Sequence, residues 1–171
     1  MFTLTNTLTG KKELFKSIVP NKVDLYVCGI TPYDYAHLGH GRVYVVFDVL
    51  YRLLSLSGNQ VNYCRNYTDI DDKLLAKALR EFGDERCFKD VADRYIQAFT
   101  HDMDRLNCLP PTYEPRVTET IPDIIQFIQG LVDNGHAYVV GGDVYYSIPS
   151  FADYGKLSKQ KLDDLCVGAR V

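Results

Sequence analysis

Several features are missing from this chain of 171 residues, and each absence excludes something. No apolar run approaches the roughly 20 residues that a membrane-crossing helix needs, which excludes a helical membrane protein. Met1 to Lys12 carries no apolar stretch of the kind that opens a secretion signal, so none is expected. Neither charge sign dominates: 19 basic residues stand against 22 acidic ones, a net charge of −3. Bulk positive charge therefore does not bind this chain to nucleic acid, although a local patch remains open. There is no C-x-x-C pair. The five cysteines, Cys28, Cys64, Cys87, Cys108 and Cys166, are odd in number and far apart. Without a secretion signal they read as reduced thiols of a cytoplasmic protein. No internal repeat and no low-complexity tract occurs. The phosphate loop G-x-x-x-x-G-K-[ST] is absent. Gly39-His40-Gly41 opens like a dinucleotide fingerprint, but Tyr44 stands where the third glycine belongs.

The residues present describe a folded domain. Hydrophobic residues make up 46% and charged residues 24%, enough to bury a core. Val23 to Cys28 is β-rich and mostly apolar, the pattern of a buried strand. Gly29 to Gly41 reads as a loop. Val43, Val46, Phe47, Leu50, Leu53 and Leu54 then recur at helical spacing, predicting a helix over 43–56 that Ser57-Gly58-Asn59 ends. Val61 to Tyr67 reads as a second strand. Thr68 to Asp72 carries three aspartates that suit a helix N-terminus, with Thr68 and Asp69 as caps of a helix over 73–82. Helical spacing returns from Cys87 to Leu106. This order predicts a βαβ unit in a parallel, doubly wound sheet. Beyond Cys108 the prolines of Leu109-Pro110-Pro111 and Glu114-Pro115 make a rigid, non-helical connector. A helix over 121–134 follows, with Pro122 in its first turn. Gly141-Gly142 between two short apolar runs marks a hairpin. Only two strands read clearly as parallel, with one more near the N-terminus as a candidate, fewer than a complete doubly wound sheet holds.

Ligands in open α/β sheets sit beyond the carboxyl ends of the strands. There the segment 28–42 gathers a thiol, two histidines and three glycines just ahead of a helix. A helix N-terminus attracts anions through its free N–H groups and its dipole. His37 and His40, three apart, lie on one face of that first turn and suit phosphate oxygens. Gly39 between them leaves room for a flat base or a phosphate. Read without context, the same histidines serve equally as caps or surface groups.

The four residues His37-Leu38-Gly39-His40 resemble the HIGH motif of class I aminoacyl-tRNA synthetases. The wider set Leu25–Thr31, Tyr33-Asp34, His37–Arg42 and Arg65–Lys73 resembles the cysteinyl-tRNA synthetase family. The similarity continues through Glu114-Pro115-Arg116, Gly135–Tyr138, Tyr154–Ser158 and Gly168–Val171. It covers essentially the whole chain but only the N-terminal part of that family. The resemblance implies a Rossmann-like α/β sheet, with 1–110 as the first half of the catalytic domain. Residues 111–171 would then be the helix, hairpin and tail of an inserted connective region. It implies ATP-dependent activation of L-cysteine and transfer of the cysteinyl group to its tRNA, with MgATP as a substrate. His37 and His40 would act on the phosphates, and Gly39 would pack on the adenine side. Gly29, Thr31, Asn66 and Thr68 would contact the substrate cysteine. Cys28 would be one ligand of a zinc ion, whose other ligands lie outside this chain, as does the KMSKS loop. Pro32 departs from the family pattern and removes one backbone donor. A monomer is expected, with tRNA contacts mainly elsewhere. Two rival readings stand beside this one: a cysteine ligase acting on an amino-sugar, and a truncated, inactive paralogue.

Overall fold

Aromatic and β-branched residues packed between two strands and two helices make the centre of this fold. The computed structural model describes residues 2–160. In chain order its elements are β1 (Thr3–Asn6), β2 (Lys11–Leu14), β3 (Lys22–Ile30), α1 (Leu38–Leu56), β4 (Gln60–Tyr67) and α2 (Asp72–Phe82). Then follow a 3-10 turn (Glu85–Cys87), α3 (Phe88–Arg105), α4 (Val117–Asp133), β5 (Ala137–Val140), β6 (Asp143–Tyr146) and a second 3-10 turn (Ile148–Ser150). These residues form two compact units. One is Ser17–Ile121; the other comprises the described residues through Lys16 and from Pro122 onward.

In the Ser17–Ile121 unit, β3 and β4 pair in parallel with α1 as the crossover, the predicted βαβ unit. The register runs from Lys22 opposite Gln60 to Val27 opposite Arg65, then shifts, so that Ile30 faces Tyr67. The bulge so formed holds Cys28 and Gly29. The proline-rich connector does more than link elements. Tyr113 and Arg116 bridge in parallel to Cys64 and Tyr67, and the N–H groups of Arg65 and Tyr67 donate to the carbonyls of Tyr113 and Pro115. A third extended segment thus lies along β4, with Pro115 supplying a carbonyl where no N–H is needed. Val27, Ile30, Tyr44, Tyr63, Tyr67, Ile96 and Phe99 form the main core. Arg65 is buried within it, its guanidinium 5.1 Å from the Tyr44 ring and 4.9 Å from the Phe99 ring and ion-paired with Glu114. Ring faces and a carboxylate offset the cost of holding that charge away from water. A second cluster, Leu74, Ala78, Val91, Ala92 and Tyr95, joins α2 to α3.

Three expectations need correction. The first concerns α1, whose predicted apolar stripe is its buried face only in part. Leu54 is buried and Phe47 packs on the core as expected, but Val43, Val46 and Leu53 are exposed, and Tyr44, Tyr51 and Asp48 turn inward instead. The helix is apolar around most of its circumference, so spacing alone did not orient it. Asp48 turns inward because its carboxylate accepts from the Leu109 N–H (2.8 Å) and from Arg52 (2.7 Å). The second concerns the aspartates. Asp71, not Thr68 or Asp69, caps α2, accepting from the Lys73 N–H at 2.9 Å. Asp69 is buried and accepts the N–H and O–H of Thr118 (3.0 and 2.6 Å), which caps α4 from across the chain. The third follows from the second. That cap lets α4 begin at Val117 rather than at residue 121, and Pro122 falls inside the helix, beyond its first turn.

In the other unit β1 and β2 form an antiparallel hairpin, with the rings of Phe2 and Phe15 stacked at 5.2 Å. Its strands are polar and exposed, so periodicity barely marks them. β5 and β6 form the predicted hairpin. Gly141 and Gly142 turn it at φ 61° and 96°, values that favour glycine. Tyr138 stacks on Tyr145 across the strands at 5.8 Å. Among the described residues no helix is long and apolar enough to cross a membrane. The resembling segment Gly168–Val171 and Cys166 lie outside the described residues.

Candidate active site

The carboxyl end of β3 is built around Gly29. A Cβ there would overlap the backbone carbonyl of Asn66, so no other residue fits. The Gly29 N–H donates to Asn66 Oδ1 at 2.9 Å, and the Tyr26 hydroxyl donates to the same oxygen at 2.9 Å. Asn66 Nδ2 in turn reaches Thr68 Oγ1 at 3.3 Å. The Thr68 N–H donates to the Ile30 carbonyl at 3.0 Å, extending the parallel pairing one step past β4. On the helix side, the Tyr44 hydroxyl donates to the Cys28 carbonyl at 3.1 Å. Burial pushes that phenol up to about 12, so it remains a donor at any physiological pH.

From Thr31 to Ala36 the chain crosses to α1. Pro32 is fully buried, and the Tyr33 N–H closes a tight turn onto the Thr31 carbonyl. Two contacts hold this loop to the helices behind it. Tyr35 meets Tyr95 edge-on at 5.1 Å, and Asp34 pairs with Lys77 at 3.5 Å. The Tyr35 N–H, and more weakly Lys77, hold the Asp34 carboxyl below its ordinary range.

At the start of α1, five residues before the predicted helix, two imidazoles form a capping box. His37 is the cap: its Nδ1 accepts from the Gly39 N–H at 3.0 Å. His40 Nδ1 accepts from the His37 N–H at 3.1 Å. An imidazole nitrogen that accepts carries no proton, so in both rings the hydrogen sits on Nε2. The rings lie 4.0 Å apart. Burial, and then the neighbouring His37, push the His40 pKa below its ordinary value. The result is a pair of rings whose Nδ1 atoms are taken by the cap, which leaves the Nε2–H groups as donors. No acidic residue occupies the first turn of α1. Its dipole and these donors are left for an incoming anion. A Cβ on Gly39 would stand 2.7 Å from His37 Cε1, so glycine is what allows the ring to fold over the cap.

A polar cleft of about 320 Å³ lies here, lined by Gly29, Thr31, Tyr33, Asp34, His37 and His40 among others. His37 also borders a larger, apolar cleft of about 620 Å³ between α1 and α3, walled by Leu38, Val45, Met103 and Leu106. Of the residues singled out in the sequence, Gly29, Thr31, His37 and His40 meet in the polar cleft, and Gly39 sits beneath the imidazoles. Asn66 and Thr68 stand behind Gly29. Cys28 is exposed on the bulge and does not line the cleft. Among the described residues no three histidine, cysteine or acidic side chains are grouped to hold a metal ion. One thiol does not make a zinc site, and these residues alone do not fit one. Two residues escaped the sequence reading. Tyr26, two before Cys28 and so on the same strand face, was one signal available. Tyr44, one helical repeat after His37, was the other.

Comparison with known proteins adds to this geometry. A family model described as the tRNA synthetases class I (C) catalytic domain matches residues 14–171. The cysteine–tRNA ligase of Trichlorobacter lovleyi is 54% identical over 168 residues, 98% of this chain and 34% of that protein. That of Aquifex aeolicus is 52% identical over 166 residues, 97% of this chain and 33% of that protein. The chloroplastic/mitochondrial one of Arabidopsis thaliana is 49% identical over 168 residues, 98% of this chain and 29% of that protein. This chain thus spans about a third of the length of the curated relatives it matches. Among solved structures, the ternary complex of the Agrobacterium radiobacter K84 agnB2 LeuRS with tRNA and LeuAMS is similar, with a TM-score of 0.55. At 22% identity over 71% of this chain and 16% of that one, this likeness concerns the fold alone.

Proposed function

We propose, from the premise that this chain belongs to the class I tRNA synthetase (C) catalytic-domain family, that it supplies the nucleotide- and amino-acid-binding front of a cysteine–tRNA ligase. The observation that carries this reading is the histidine capping box. Both Nδ1 atoms are spent on the cap, so two Nε2–H donors and a helix end with no acid in its first turn remain for a polyphosphate. In the first step of such a reaction the carboxylate of L-cysteine attacks the α-phosphate of MgATP, and pyrophosphate leaves. Negative charge builds on the phosphate oxygens during that displacement. Donors fixed before the reaction stabilise it, and removing one such donor typically costs 10²–10³-fold in rate. Because the cap bonds fix the tautomer, His37 and His40 act as neutral donors and need no proton transfer to do so.

Gly39 leaves the adenine side of the nucleotide open. Gly29, Thr31, Asn66 and Thr68 form the amino-acid side. Cys28 is the one zinc ligand this chain would contribute. In the same reading residues 1–110 belong to the first half of the catalytic domain and 111–171 to the connective insertion. The cognate tRNA meets mainly parts outside this chain. A cytoplasmic monomer is the setting this reading expects.

The test is a titration of the chain with inorganic pyrophosphate, following the ring resonances of His37 and His40 by NMR. Both Nε2–H signals should move, and the Nδ1 signals should keep their acceptor character. Fused to the remaining two thirds of the Trichlorobacter lovleyi relative, the chain should support cysteine-dependent ATP–pyrophosphate exchange, and His40→Ala should slow it by about 10²–10³-fold. Pyrophosphate that leaves both rings untouched, or exchange indifferent to His40, would sink the proposal.

A further inference from the structure

Three consecutive residues of the cleft wall each have a partner on the two helices behind them. Tyr33, Asp34 and Tyr35 all line the polar cleft. Lys73 Nζ lies 5.0 Å from the centre of the Tyr33 ring, Lys77 pairs with Asp34 at 3.5 Å, and Tyr35 meets Tyr95 edge-on at 5.1 Å. Lys73 and Lys77 stand one turn apart on the same face of α2. The middle partner is the telling one. The Lys77 side chain is 10% exposed, and a lysine so buried needs groups that offset its charge. Glu81, one turn further along α2, lies 3.8 Å away, and the Tyr95 ring centre lies 4.4 Å away. Those two keep the cation on the helices, and Asp34 fastens the cleft loop to it. Only Tyr35 and Ala36 separate Asp34 from His37, so what fixes Asp34 also fixes where the chain enters the histidine cap.

We infer that Lys77 is a positioning residue, which from behind the cleft holds Tyr33, Asp34 and Tyr35 in the arrangement that leaves the His37 and His40 donors ready for a polyphosphate. Lys77 does not line the cleft and acts through Asp34. A loop free to leave its binding shape lowers the apparent affinity by the fraction of time it spends elsewhere. The inference rests on the reading of this cleft as the polyphosphate site. It adds a residue outside the cleft on which that site depends.

The experiment titrates inorganic pyrophosphate into the whole chain by calorimetry, with the ring resonances of His37 and His40 locating the binding. Lys77→Met keeps the length of the side chain and removes the cation. It should weaken binding by about five- to tenfold. Glu81 retains Arg94 as a partner and Asp34 is exposed, so no buried charge is left alone and the melting temperature should stay near wild type. Lys77→Arg keeps the cation and should keep the affinity. Asp34→Asn supplies the sign that separates a tether from a simple charge effect. Its amide oxygen can still take the Tyr35 N–H, but the ion pair is lost. A charge effect alone would make Asp34→Asn bind the anion more tightly and Lys77→Met less tightly. A tether makes both bind less tightly, and Lys77→Met should then add little in the Asp34→Asn background.

Histidine rings that ignore pyrophosphate in the wild type overturn the reading of the cleft, and this inference with it. Rings that respond in the wild type, with Lys77→Met binding equally well, overturn the inference alone. Tighter binding by Asp34→Asn, or additive losses in the double variant, does the same. A Lys77→Arg as weak as Lys77→Met assigns the effect to packing and also refutes the tether. Asp34 is a surface residue, so its variant decides the sign even should Lys77→Met fail to fold.

Discussion

Two helices of this chain start just beyond the ends of two paired strands, and they start differently. α2 opens with Asp71 as its cap and Asp72 in its first turn. Carboxylates there satisfy free N–H groups and neutralise the positive end of the dipole. α1 opens with His37 as its cap and no acid in its first turn. Its N–H groups are satisfied as well, but by neutral rings. The first helix end is closed to further anions, whereas the second is satisfied in hydrogen bonds and still open in charge. Capping and dipole compensation usually arrive together in one aspartate. Here they are separated, and the separation marks the site.

Variants can break this contrast. The largest effect is expected at His37. An asparagine there keeps a good cap, because its side-chain oxygen can accept the same backbone N–H, but it loses the Nε2–H donor. His37→Asn should leave thermal stability near wild type and weaken pyrophosphate binding by about 10-fold or more, the scale of a hydrogen bond to a charged group. Calorimetric titration beside a melting curve would check both halves. Equal losses in both would mean that His37 is only a cap. Next comes Asp71→Ala, which should cost about 1 kcal/mol of stability in a urea titration and leave pyrophosphate affinity unchanged. A smaller effect is expected from Leu38→Glu, which gives α1 the acid that α2 already has. Leu38 is 90% exposed, so packing is not disturbed. Stability should rise by about 0.3–1 kcal/mol while pyrophosphate binding falls. Opposite signs in one variant would be the clearest mark of an anion site.

The smallest effect concerns pH. The folded pKa of His40 lies below its unfolded value of about 6.5. Above 6.5 the ring is neutral in both states and the cap is intact. As pH falls through 6.5 toward the lower folded value, the unfolded chain takes up the proton first. Stability should therefore decline on acidification through that window. His40→Gln, whose amide oxygen can take the same cap bond, should flatten this slope in melts between pH 7.5 and 5. An unchanged slope would assign it to other groups.

Much of this contrast was legible in advance, and the illegible part has physical causes. The strand–helix–strand order, the Gly141-Gly142 turn and the pairing of His37 with His40 at a helix start followed from local chemistry, whereas Gly29 and Thr31 entered only through the family resemblance. What failed were features settled by distant partners. α4 begins early because Asp69 caps Thr118 from another loop. α1 rotates to bury Asp48 because the Leu109 N–H waits for that carboxylate. The helix start at Leu38 was missed because Gly39 and Gly41 read as loop residues, although the histidines beside them were already candidates for caps. The hydrogen bonds of the Asn66 side chain to Gly29, Tyr26 and Thr68 were not legible, because they depend on the register of β3 against β4.

The tight approach of Gly29 to β4 makes a statement about mutational tolerance. Every codon change that replaces Gly29 introduces a side-chain carbon where the Asn66 carbonyl already sits. Gly130, in α4, has open space around the same position and ordinary helical backbone. In a saturation library selected only for folded protein, position 29 should be nearly empty and position 130 nearly full. Two glycines of identical composition would thus carry opposite amounts of information about the fold.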